Sequence, residues 1–292
     1  MRIALFLLTN FAVMALVGII MSAFGLSTLQ ANGVDINLTG TLVMCGLFGF
    51  TGSLISLFLS KSMAKRSAGV QLITEPRSDI ERWLVDNVSD ISRQAGIKTP
   101  EIGIFPSQQP NAFATGWNKN DALVAVSEGL LRSMKPNEVR AVLAHEVAHV
   151  ANGDMVTLTM IQGVVNTFVL FFSRIIGHVV DRAVFKTERG YGPGYYIVSI
   201  VAQLVLGFLA TMIVMWFSRY REYRADEGGA KYSDRASMIA ALESLKRSSG
   251  MPDQMPENLA AFGIGSGKRS GLRELFSSHP PLDDRIRALQ KI

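Results

Sequence analysis

His145-Glu146-Val147-Ala148-His149 reads H-E-x-x-H inside an apolar, alanine-rich run, Val139 to Val150, that holds neither Gly nor Pro. Such a run predicts a helix. Residues four apart on a helix share a face, so His145 and His149 can turn two imidazoles toward one metal ion, the usual zinc arrangement. Glu146 sits about 100° round the helix from His145. It is badly placed to ligate, but it can reach a water beside the ion and take its proton as that water attacks a carbonyl carbon. Lys135-Pro136-Asn137-Glu138 starts the helix, with Pro136 in its first turn. The competing explanations are coincidence and a purely structural pair of histidines, so the rest of the chain must decide.

Of the 292 residues, 48% are hydrophobic and only 18% charged. Soluble domains carry about 25% charged residues. The deficit is concentrated in long apolar runs, which points to a membrane protein with the lipid bilayer as its first partner. The net charge of +5 fits Lys and Arg at membrane boundaries. No basic-aromatic patch stands out, which argues against a nucleic-acid partner. The lone Cys45 can form no internal disulfide and excludes a cysteine-rich structural zinc site.

Ile3 to Phe24 is long enough to cross hydrocarbon, which takes about 20 residues. Arg2 alone is a weak positive start for a cleaved signal, so an uncleaved span is expected. Leu38 to Leu59 is a second span, with Gly46, Gly49 and Gly52 as a small-residue packing face. It runs into Lys61, Lys65 and Arg66, which should stay cytoplasmic. Asp79 to Ala95 is an amphipathic helix. Ile102 to Phe105 and Leu123 to Val126 are short strands, and Ser127 caps a short helix through Met134. Val156 to Ile176 and Tyr195 to Phe217 are a third and a fourth span. Arg174 and His178 lie near the end of the third and are expected to snorkel toward the interface. Ser218 to Lys246 is a second soluble helical region, and Ser248 to Gly271 is rich in Gly, Ser and Pro. The expected segments are therefore 1–60, an N-terminal transmembrane hairpin; 61–155, a soluble segment with the H-E-x-x-H helix; 156–217, a second hairpin; and 218–292, a soluble segment that completes the site.

A catalytic zinc needs a third protein ligand and an open position. Asn152-Gly153-Asp154 follows the motif where a third histidine could have stood, and His178 lies a full span away. A carboxylate or His279 remains. The fourth span returns to the side on which the third began and ends just before Arg221-Glu222-Tyr223-Arg224-Ala225-Asp226. Glu222 thus emerges at about the level of the motif helix. Glu222 can ligate, while Asp226, four residues on, can hold the outer nitrogen of a ligand histidine. The alternative is a solvated helix end with charges paired to neighbouring arginines.

These stretches, with Asn111-Ala112-Phe113-Ala114-Thr115-Gly116 and His279-Pro280-Pro281 in the same order, resemble the HtpX family of membrane metalloproteases, relatives of the CAAX prenyl endopeptidases. The resemblance covers essentially the whole chain. It implies zinc on His145, His149 and Glu222, Glu146 as general base and Asp226 behind a ligand. It implies that Asn111 and Ala112 lie on an edge strand that pairs with substrate backbone. It also implies that His279 and Arg285 steady the oxyanion.

The expected fold is a mainly α integral membrane protein. Four transmembrane helices carry a cytoplasmic, gluzincin-like H-E-x-x-H domain with a small β-sheet. The expected function is a zinc endopeptidase, one ion per subunit, acting at the cytoplasmic face of a bacterial inner membrane on misfolded or damaged membrane proteins in a stress response. Self-association is left open. Two rival readings are a prenyl-protein protease, which the four spans disfavour, and a non-proteolytic chaperone or scaffold with a structural metal site, which would have no need of Glu146. A transporter fits less well, because the ionisable cluster lies outside the spans.

Overall fold

A computed structural model describes residues 37–188, 190–248 and 277–292. The expected first span and nearly all of the Ser248 to Gly271 stretch fall outside these residues. In chain order the elements are α1 (Leu38–Ser67), β1 (Gln71–Leu72), α2 (Asp79–Gln94), β2 (Glu101–Phe105), β3 (Ala112–Asn118), β4 (Asp121–Ser127), α3 (Glu128–Ser133), α4 (Pro136–Asn152), α5 (Asp154–Ala183), α6 (Pro193–Tyr232), α7 (Arg235–Ser248) and α8 (Leu282–Gln290). Among the described residues, α1, α5 and α6 are long and apolar enough to cross a membrane. They correspond to the second, third and fourth expected spans. The chain divides into two compact units. One takes the described residues before Ser56 together with Thr159–Ile213, and the other takes Ser56–Leu158 and Val214–Ile292.

In the first unit, α1 meets α5 through small residues. A Cβ on Gly49 would lie 2.6 Å from Thr167 Oγ1, and one on Gly163 would lie 2.8 Å from the Phe50 ring. The expected glycine face is thus used at Gly49, whereas a Cβ on Gly52 would meet nothing. Close backbone approach is how helices associate where lipid offers no hydrophobic drive. His178 does not snorkel. It is buried, with its ring edge-on to Tyr191. Asp181 explains why: it accepts from Gly192 N at 2.8 Å and from Thr187 Oγ1 at 3.2 Å, which folds the α5–α6 loop back over the helix end.

The second unit holds a four-stranded sheet in the order β1-β2-β4-β3. β2 and β4 are parallel, and β3 and β4 form an antiparallel hairpin. β4 reads as an unbroken apolar run because both its faces are buried. Val124 and Val126, with Ala112 and Ala114, join the core made with α2, α4, α7 and α8. Leu123 and Ala125, with Phe105 and Phe113, pack on Ala64 of α1. Ser127 accepts from Leu130 N at 3.0 Å and starts α3. β1 was not anticipated: two exposed residues carry no periodicity to read. Nor does Asn111 to Gly116 read as a strand on pattern alone, because it is buried on both faces and lacks alternation.

Two boundaries differ from the sequence reading, each for a local reason. The apolar stretch ending at Phe217 and the charged stretch after it form one helix, α6, since no proline interrupts the backbone ladder between them. The break comes at Ser233-Asp234, where Asp234 Oδ1 accepts from Ser237 N at 2.8 Å and caps α7. α1 likewise continues past Leu59 to Ser67. Lys61 ion-pairs with Glu101 and Asp121, and Lys65 with Glu101. These lysines latch the helix to the sheet, so they are poorer topological markers than their sequence position suggests.

α4 is buried on almost every side, which suits its lack of amphipathic pattern. It stops at Gly153, whose φ of 68° is a left-handed cap. α6 lies against α4 without side chains between them: a Cβ on Gly228 would stand 2.4 Å from Ala148 Cβ. Gly228→Ala should therefore cost about 1–3 kcal/mol by overpacking. Ala148→Gly in the same chain should relieve the overlap. We expect metal content to fall in the single variant and to recover in the double one; equal metal content in all three proteins would show that this approach does not set the site.

Candidate metal centre and peptidase site

Three helices and one loop bring the ionisable residues together. α4 supplies His145, Glu146 and His149, and α6 supplies Glu222 and Asp226. His279 comes from the turn before α8, and Arg285 from α8 itself. All but His149, which is slightly exposed, are buried. Every residue expected from the sequence to act on the scissile bond or the metal is thus in one cluster. Ala112 opens β3, and Asn111, expected on the strand, immediately precedes it.

His145 Nε2, His149 Nε2 and a Glu222 carboxylate oxygen all fall within 4.8 Å of one another. The two Nε2 atoms are 3.2 Å apart. Glu222 Oε2 is 3.5 Å from His145 Nε2, and Oε1 is 3.3 Å from His149 Nε2. Tetrahedral zinc, with bonds of roughly 2.0–2.2 Å, places its ligand atoms about 3.3 Å apart. The donor set therefore fits in both chemistry and spacing. The outer nitrogens fit as well. His145 Nδ1 is 3.0 Å from Asp226 Oδ1, and His149 Nδ1 is 2.7 Å from Asp154 Oδ2. Each imidazole is thereby turned so that Nε2 faces the centre, the carboxylate–histidine pairing common at metal sites.

Asp154 was missed by the sequence reading. It opens α5 directly after the Gly153 cap, and it is buried. Its backbone carbonyl accepts from Arg221 Nη1 at 3.3 Å, and Arg221 Nη2 donates to Ser218 Oγ at 2.9 Å. The signal lay in Asn152-Gly153-Asp154: a helix-stopping glycine followed at once by an acid returns the acid to the last turn it has left.

Arg285 is fully buried and bidentate on Asp226, with Nε at 2.8 Å from Oδ2 and Nη2 at 2.6 Å from Oδ1. Its remaining group, Nη1, is 3.3 Å from Glu222 Oε2, and His279 Nδ1 is 2.8 Å from the same oxygen. Ser277 Oγ donates to His279 O at 2.9 Å, and Arg219 Nη1 donates to Ser277 O at 3.0 Å, which secures this turn against α6. Glu222 Oε2, both His279 ring nitrogens, Arg285 Nη1 and, despite its 3.0 Å approach to Asp226, His145 Nδ1 are buried without a well-aligned hydrogen bond. Orphaned polar atoms are uncommon in folded interiors, and here Glu222 Oε2, approached by both His279 Nδ1 and Arg285 Nη1, belongs to the candidate donor set itself.

The charges follow from this packing. Burial pushes the Glu146 carboxyl up, with the nearby imidazoles pulling only partly against it. That moves it toward the range a general base needs. Burial also acts on Glu222, but the His279, His149 and His145 rings outweigh it and hold that carboxyl well below the usual range. Asp226 is lowered too, because Arg285 overcomes its burial. Burial disfavours a charged His149, yet Glu222 and Asp154 raise it to about 10. His145 is raised in the same way by Asp226 and Glu222. The carboxylates thus call for positive charge at this point, which suits a divalent ion.

An H-E-x-x-H helix with an acidic third donor on a later helix defines a metallopeptidase centre. Consistent with that class, residues 78–292 match the model of peptidase family M48. The chain belongs to that family and is a membrane metalloprotease. Protease HtpX of Pseudomonas putida (strain GB-1) is 59% identical over 292 residues, covering 100% of this chain and 99% of that protein. Protease HtpX of Pseudomonas syringae pv. tomato (strain ATCC BAA-871 / DC3000) is 60% identical over the same span, with the same coverage. The crystal structure of S. mikatae Ste24p shares the fold, with a TM-score of 0.62 at 16% identity over 94% of this chain and 66% of that one.

Replacing Asp154 with Ala should weaken metal affinity by about 10–100-fold, the usual effect of removing a ligand's outer partner. Competition with a fluorescent chelator measures it; affinity equal to wild type would remove Asp154 from the site.

Proposed function

We propose that this chain is a zinc-dependent endopeptidase of the bacterial inner membrane that cuts misfolded or damaged membrane proteins, with its site facing the cytoplasm. The observation that carries the chemistry is Glu146, buried on α4 one residue from a ligand and held toward the protonation range of a base. His145, His149 and Glu222 would hold the metal, and their spacing and histidine-rich character favour zinc. When bound, the ion supplies a Lewis acid that polarises the scissile carbonyl and acidifies water. Glu146 takes the proton of the attacking water and returns it to the departing amine. Arg285 holds Asp226, Asp226 holds His145, and Asp154 holds His149. His279 and the Nη1 group of Arg285, both beside Glu222, would be the donors to the developing oxyanion charge.

Substrate is positioned along β3. Ser127 N donates to Asn111 O at 2.9 Å and Asn111 N donates to Ser127 Oγ at 2.9 Å, so Asn111 is turned inward to β4. By the antiparallel alternation, Ala112 and Ala114 then direct their backbone groups away from β4. No further strand pairs with that side among the described residues. Asn111 Oδ1 accepts from Ala112 N at 2.8 Å and so shields its first outward donor. An extended substrate would pair with Ala112 and Ala114, with Asn111 at the end of the register. Such pairing reads backbone rather than sequence, which suits a quality-control role under stress.

Glu146→Gln should abolish cleavage of an unfolded test protein while leaving stoichiometric zinc, with the wild type blocked by a chelator. Loss of zinc in the variant would mean that Glu146 is a ligand or a structural residue. Cleavage by neither protein, with equal binding of the test protein, would favour a chaperone. A reporter fused after Ile292 should read as cytoplasmic; a periplasmic readout would reverse the orientation.

A further inference from the structure

The hairpin between β3 and β4 carries a feature that the chemistry leaves unused. Gly116 has a φ of 152°, and a Cβ there would lie 2.4 Å from Asp121 O. The ladder is irregular between Gly116 and Asn118, so Trp117 falls outside the paired register. Bulges of this kind re-aim a side chain. Here the indole is turned out of the sheet onto Phe58 of α1, with ring centroids 5.5 Å apart. Its Nε1 donates to Asp121 Oδ2 at 2.5 Å, and Asp121 in turn pairs with Lys61. The tip is therefore fixed to α1 by a tilted ring contact and by charge.

The indole is nevertheless exposed. Trp117 keeps 40% of its surface accessible and Phe58, the ring it meets, keeps 57%; Leu59 and Met63, elsewhere on α1, keep 49% and 48%. A latch alone would bury such side chains. The exposed apolar set is continuous with α1, a helix long and apolar enough to cross a membrane. Lys119, also exposed, follows at the turn. Tryptophan with apolar neighbours and an adjacent lysine is the composition that settles where headgroups meet acyl chains.

We propose that the Trp117 tip is a bilayer anchor: with Phe58, Leu59 and Met63 it enters the headgroup–acyl boundary of the membrane crossed by α1. The consequence, which rests on the peptidase reading above, is that β3 receives extended chain directly from the membrane surface. Its substrates would then be segments adjoining the spans of membrane proteins.

The test uses the full chain in phosphatidylcholine vesicles with anionic lipid, with Trp83→Phe and Trp216→Phe so that Trp117 is the sole indole. We expect its emission to be largely lost in lipids brominated near the glycerol end, less so with deep bromines, and to resist aqueous iodide. Quenching by iodide with none by bromolipid would overturn the anchor, and so would quenching by neither, which would make the contact with Phe58 internal packing. Should that variant fail to fold, Trp117→Cys on a Cys45→Ser background carries a nitroxide instead. Accessibility to oxygen but not to a water-soluble nickel chelate supports the anchor, and the reverse overturns it. Neither readout uses activity, so a failure here is distinct from a failure of the peptidase assignment.

Discussion

The buried pair of Arg285 and Asp226 is the contact on which the site depends. Two parallel bonds at 2.8 and 2.6 Å fix both side chains in a fully enclosed position. Asp226 is thereby set against His145 Nδ1, and the last guanidinium nitrogen is set against Glu222. Removing two ions from water costs several kcal/mol each, so the pair is a weak source of stability. What it provides is direction. Either partner alone would be an uncompensated buried charge beside the candidate site. The C-terminal helix thus contributes to the candidate metal centre, although Arg285 lies 59 positions beyond Asp226.

The packing around that pair makes the direction exact enough to serve chemistry. α4 is surrounded, so its side chains have little room to rotate. α6 reaches it across Gly228 without an intervening side chain, which lets Glu222 approach both imidazoles. The same helix carries the apolar stretch that precedes Phe217 and the candidate ligand Glu222 that follows it. Sheet and helix share the burden on the other side, where β4 is packed on both faces and holds β3 in register.

The sequence made the core of the candidate site legible because its spacing is covalent. His145, Glu146 and His149 keep their relation on any helix, and Glu222 and Asp226 repeat it at the same interval of four. Asp154 was hidden because its role depends on the left-handed cap at Gly153, which turns a loop acid back toward the helix it follows. The link from Arg285 to Asp226 was equally hidden: the sequence shows both charges but not that one encloses the other. The three later spans were plain from length and apolarity, whereas α6 as one unbroken helix was not, since a change from apolar to charged residues alters a helix's surroundings and not its hydrogen bonds. β3 escaped pattern reading for the opposite reason. A strand buried on both faces loses the alternation by which strands are recognised.

That two-sided burial bears on specificity. A peptidase that gripped side chains would need pockets beside the metal, and β3 offers instead alanines at the positions whose backbone faces outward. Their side chains are spent on the core, so only main chain is left along that edge, and pairing there would supply affinity without selecting a motif. Selection must come from elsewhere. Folded proteins withhold extended backbone, and an anchored hairpin would hold β3 at one depth relative to the bilayer. On the two proposals together, the chain to be cut would be chosen by being unfolded and by being near the membrane, two properties that damaged membrane proteins share and that no side-chain pocket could read.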